Sequence, residues 1–60
     1  MINFSKITIV IETGNAAFGD DPGVETARIL RVIAQQLRDR KRPTKPMDLN
    51  GNSVGTIEYE

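Results

Sequence analysis

Two spacings in this sequence imitate ligand loops, and each lacks the residues that would make the chemistry work. Gly14 and Gly19 stand in a G-x-x-x-x-G spacing between a strand-like and a helix-like segment. A phosphate loop continues with lysine and then serine or threonine, which reach the phosphates and the magnesium ion. Here Asp20 and Asp21 follow, and carboxylates repel phosphate. Asp48, Asn50 and Asn52 open like a calcium loop, but Ser53 stands where that loop needs glycine and Tyr59 where it needs a bidentate glutamate. A hairpin turn accounts for the same residues without a metal. The chain has no histidine and no cysteine. That removes the usual general base, the thiolate nucleophile, disulfides and the commonest metal ligands together. Asp20 and Asp21 suit a helix start better than a catalytic carboxylate pair, which would also need a substrate cleft. The reading is of a protein that is not an enzyme, uses no cofactor or metal, and works by binding another macromolecule.

The basic residues are the remaining constellation. Arg28, Arg31, Gln35, Arg38 and, if the last turn persists, Arg42 share one stripe of a helix, and Arg40, Lys41 and Lys45 extend it. The formal charge is zero overall but strongly segmented. Residues 1–27 set Lys6 against Glu12, Asp20, Asp21 and Glu25, a net −3. Residues 28–45 set seven cations against Asp39, a net +6, and Asp48, Glu58 and Glu60 give residues 46–60 a net −3. Such a patch fits an acidic protein surface or the phosphates of nucleic acid. It also fits a solvated helix face whose cations favour the C-terminal end of the dipole. A protein partner is the better fit. Negative segments flank the patch, and Phe4, Phe18 and Tyr59 all lie away from it, leaving no aromatic interleaved for base stacking. Nucleic-acid binding through Arg28, Arg31, Arg38, Arg40, Lys41 and Arg42 is the second reading.

The elements that must position these residues are legible from pattern. Residues 2–12 read as a strand, because the β-branched run Ile7 to Ile11 packs well on a pleated surface. Alternation gives Ile7, Ile9 and Ile11 a core face, with Ile2, Phe4, Thr8 and Val10 on the other. Residues 13–21 form a loop in which Asn15 to Phe18 is an apolar, exposed candidate contact, with Phe18 alternatively capping the core. Asp21-Pro22 predicts a helix start, the helix running to about Asp39. At 100° per residue Ala27, Leu30, Ile33, Ala34 and Leu37 form the core stripe, with Val24 at its margin. Ile29 and Val32 fall on a flank outside it. Pro43 and Pro46 end the helix, leaving residues 40–46 as a basic connector. Met47 to Leu49 begins a second strand, Asn50-Gly51 signals a hairpin, and Val54 to Tyr59 returns as a third strand. A β-bulge near Gly55 would bring Val54, Ile57 and Tyr59 to one face.

The expected fold is a single α+β domain over residues 1–60, with order β-α-β-β. Its three-stranded antiparallel sheet has the last strand in the middle and one helix packed on one face. For a chain of 60 residues, burial and ordering nearly cancel, and only about 60% of the unfolded surface is buried. Self-association would relieve that. The long first strand is an edge, so Phe4, Thr8 and Val10, together with Ile29 and Val32, are the candidates for a homodimer contact. No apolar run approaches the ~20 residues of a membrane span, and Lys6 is not followed by a signal-peptide pattern. The expected location is the cytoplasm, with no membrane contact.

Three segments carry a resemblance: Ile11-Glu12-Thr13-Gly14-Asn15-Ala16-Ala17-Phe18, then Ala27-Arg28-Ile29-Leu30, then Asp48-Leu49-Asn50-Gly51-Asn52-Ser53-Val54-Gly55. Together they look like a type of small accessory protein encoded by tailed phages and prophages. The resemblance covers most of the chain except residues 38–46. It implies no activity. It implies a stoichiometric binder, of the kind that inhibits a host or defence protein.

Overall fold

The computed structural model describes residues 4–60, and the expectation for Ile2 lies outside them. The β-branched run forms strand β1, Ile7–Ile11, shorter than the expected 2–12. It pairs antiparallel with β2, Gly55–Tyr59, setting Ile7 opposite Tyr59, Ile9 opposite Ile57 and Ile11 opposite Gly55. A methyl group added at Gly55 would overlap the Val10 carbonyl, so only glycine lets the strands meet there. Between the strands come a 3₁₀ turn, Ala16–Phe18, and the helix α1, Pro22–Arg38.

Local chemistry sets both helix ends. The Asp21 carboxylate accepts the Gly23 N–H at 3.0 Å, and Pro22 takes the first helical position, where no N–H is needed. At the other end Arg40 N–H donates to Leu37 C=O at 3.0 Å and Lys41 N–H to Gln36 C=O at 2.9 Å. This pair of bonds is the Schellman closure, and it places Arg40 in the left-handed region, φ 63°. The helix is therefore over before Arg42.

The second expected strand is reduced to one bridge between Met47 and Ser53. Val54 N–H donates to Pro46 C=O at 2.9 Å and Ile57 N–H to Thr44 C=O at 2.8 Å. Pro43 and Pro46 have no N–H to return, so this side of β2 carries an irregular segment in place of a ladder. The sheet of the described residues is two-stranded. Between those two bonds β2 advances three residues and its neighbour two. The register between β1 and β2 runs one-to-one through Gly55, without the bulge expected there, and Val54 and Ile57 are both buried. The hairpin signal at Asn50-Gly51 is a real turn of a different type. Gly51 alone has positive φ (83°), and its N–H bonds Asp48 C=O at 3.0 Å. A turn capped by a left-handed glycine replaces the primed two-residue loop.

The core is Phe18, Ile29, Ile33, Val54 and Ile57, with Ile11, Ala17, Leu37 and Tyr59 packed around it. The helix thus lies against the sheet face that carries Ile57, in an α+β arrangement of one helix and two strands. Two expectations about the core need correction. The buried stripe of α1 is Glu25, Ile29 and Ile33, turned by roughly 100° from the predicted one. Ile29, read as a flank residue, is the most enclosed at 1% exposure, while Leu30 and Ala34 face outward. A charge ordinarily marks the outer face, but Glu25 is buried with its hydrogen bonds filled by Arg28 and the Leu49 N–H. The second correction concerns β1. Ile7 (44% exposed) and Ile9 (38%) share a face with Ile11, but only Ile11 packs against the core, whereas on β2 Ile57 and Tyr59 opposite them do. No helix among the described residues is long and apolar enough to cross a membrane.

Candidate functional site

At the covered end, three segments far apart in sequence meet through polar groups. Arg28 grips Glu25 in a two-pronged pair, Nε to Oε1 at 2.7 Å and Nη2 to Oε2 at 2.9 Å. Glu25 also accepts the Leu49 N–H at 2.8 Å, and Arg28 Nη2 donates to Met47 C=O at 3.1 Å. Asp48, equally buried, accepts the N–H groups of Asn50 (2.9 Å) and Asn52 (2.8 Å) and the side-chain amides of Asn15 (2.9 Å) and Asn52 (3.3 Å). Asn15 in turn accepts the Ala17 N–H at 2.8 Å, which opens the 3₁₀ turn. No buried side-chain nitrogen or oxygen among the described residues lacks a partner.

The electrostatics follow from these bonds. The Arg28 guanidinium, aided by the Leu49 N–H, holds the Glu25 carboxyl below the usual carboxylate range, against the opposing effect of burial. Glu25 in return raises Arg28. The Asn52 N–H leads the amide donors that hold Asp48 low, again against burial. Every oxygen of Asp48 thus faces N–H donors, whereas a cation would need oxygen donors gathered around it. The cluster is an anchor for the 47–53 turn, and its chemistry is fully occupied.

The predicted contact residues separate accordingly. Asn15 and Arg28 belong to the anchor. Phe18 is a core residue at 3% exposure and offers nothing to a partner, which corrects its place in the proposed loop contact. Arg31, Gln35 and Arg38 do share an exposed helix face, with Gln35 Nε2 donating to Asp39 at 3.2 Å. Arg42 is not part of that stripe. It lies beyond the helix, its guanidinium 5.3 Å from the centre of the Phe4 ring and bonded to Lys41 C=O at 2.8 Å. Among the self-association candidates, Phe4 stacks on Tyr59 with ring centres 5.0 Å apart, and Ile29 is core. Thr8 is half-buried, and Val10 and Val32 are exposed. Val32 lines a shallow cleft of ≈ 110 Å³ with Ile33, Lys45, Pro46 and Met47.

Sequence reading missed Glu25 and Asp48 as structural centres. In the sequence Glu25 counts only toward the negative charge of residues 1–27, and Asp48 only toward a turn. The one signal available was the nearness of Asp48 to Asn50 and Asn52, whose N–H groups can donate to a carboxylate. Compared with protein-family models, curated proteins and solved structures, the chain matches none.

Proposed function

We propose that this chain is a non-enzymatic interaction protein that binds an acidic surface of another protein through Arg31, Gln35 and Arg38, extended by Arg40 and Lys41. One observation carries the reading. The only salt bridge among the described residues is Arg28 with Glu25, so the other basic side chains stand exposed without an ion-pair partner there. A cationic face that is not used internally raises the rate and selectivity of encounter with a negative partner. The likeness to small phage accessory proteins supports the same reading, since such proteins act as stoichiometric binders of a host or phage protein.

The test is affinity capture from bacterial lysate, with and without nuclease treatment, comparing the wild type with an Arg31→Glu, Arg38→Glu double variant. The wild type retains a defined protein in stoichiometric amount, and the variant loses it while keeping its circular dichroism spectrum. Retention unchanged by charge reversal contradicts the proposal. Capture of nucleic acid alone, lost steeply as salt rises, would assign the face to nucleic acid instead.

A further inference from the structure

The outer edge of β1 has a defined chemistry of its own. Lys6 and Glu60 exchange both backbone hydrogen bonds (2.8 and 3.0 Å), and Glu12 N–H reaches Val54 C=O at 2.7 Å. In an antiparallel ladder such bonds recur at every second residue of a strand. Residues 6, 8, 10 and 12 therefore face β2, and Ile7, Ile9 and Ile11 turn their N–H and C=O groups away from it. Among the described residues no strand takes up those groups. Along the same edge Ile7, Ile9 and Val10 are exposed, with no charge, proline or glycine among them to blunt it.

We propose that a second copy of this chain covers this edge, β1 pairing antiparallel with the partner's β1 about a two-fold axis at Ile9. Outward-facing groups bond only to outward-facing groups, so odd residues must pair with odd residues. Centring on Ile9 sets Ile9 against the partner's Ile9 and Ile7 against the partner's Ile11. It also sets Thr8 against the partner's Val10 and Lys6 against the partner's Glu12, in the non-hydrogen-bonded pairs where side chains come closest. Both ends of the contact thus gain an opposite-charge pair by symmetry. A shift of two residues either way puts Lys6 against the partner's Val10 or Gly14, and both pairs are lost. The product is a four-stranded sheet, order β2-β1-β1-β2, in which the exposed isoleucines of one copy lie beside those of the other. This contact stands apart from the arginine face on α1, so either can fail alone.

The experiment is sedimentation equilibrium over a concentration series. It compares the wild type, Lys6→Glu, Glu12→Lys and the double exchange, with circular dichroism to verify folding. Lys6 and Glu12 are exposed, so their reversal leaves the core untouched. The wild type dimerises, and each single reversal weakens the dimer by about ten-fold, since two opposite-charge pairs become two like-charge pairs. The double exchange recovers wild-type affinity. A wild type that stays monomeric into the high micromolar range overturns the proposal. So does a dimer indifferent to the single reversals, or a double exchange that binds no better than either.

Discussion

The two ends of the sheet use their side chains in opposite ways. At the end under α1, Glu25, Arg28 and Asp48 are charged, two of them are buried, and all have specific partners. Towards the other end of β1, Ile7 and Ile9 are apolar and exposed. A charge withdrawn from water is tolerated only when its hydrogen-bonding capacity is filled, and here it is filled from three segments. Apolar surface left in water has no such local remedy and is relieved by a second surface. The closed end accounts for how so short a chain holds together, and the open end for what it lacks alone.

The largest way to break this contrast is truncation of matched isoleucines. Ile29→Ala removes the most enclosed side chain and should cost about 2–5 kcal/mol, enough to leave little folded protein. Ile9→Ala, measured below the association range, should cost clearly less, about 1 kcal/mol, because Ile9 is 38% exposed and outside the core cluster. Urea unfolding monitored by circular dichroism checks both, and equal costs would mean that the two ends do not differ.

A smaller effect separates the ends by pH. Glu25 and Asp48 both titrate below the usual carboxylate range in the folded chain, Glu25 chiefly through Arg28 and Asp48 chiefly through the Asn52 N–H. Between the lower folded value and the unfolded value, the unfolded chain binds more protons. Their contribution is therefore complete above the ordinary range, about pH 4, and is lost as pH falls through the folded values. Urea midpoints should hold from pH 7 to 5 and fall steadily towards pH 2. Asp48→Asn should flatten that fall.

What was legible in the sequence is what short-range chemistry decides. Asp21-Pro22 specified the helix start because cap and proline act within one turn, and Pro43 bounded its end. The α+β class and the pairing of first and last strands followed from the β-branched runs. The face of α1 was not legible, since burial of Glu25 depends on the Leu49 N–H, twenty-four residues away. Met47 to Leu49 read as a strand because its residues suit one, but Pro43 and Pro46 withhold the donors a ladder requires. Ile7 and Ile9 were placed on the correct face. Which residues of that face pack against the core is a tertiary fact that alternation does not encode. Of the candidate contacts, Arg31, Gln35 and Arg38 kept an exposed helix face, while Phe18 and Ile29 went to the core.

The contrast between a closed and an open end is tested most directly by amide hydrogen exchange along β1 at two protein concentrations. The Thr8 and Val10 amides, bonded to β2, should be protected at both. The Ile7, Ile9 and Ile11 amides should exchange freely in dilute solution and become protected as the dimer forms. Protection of those three at every concentration, or at none, would contradict the account.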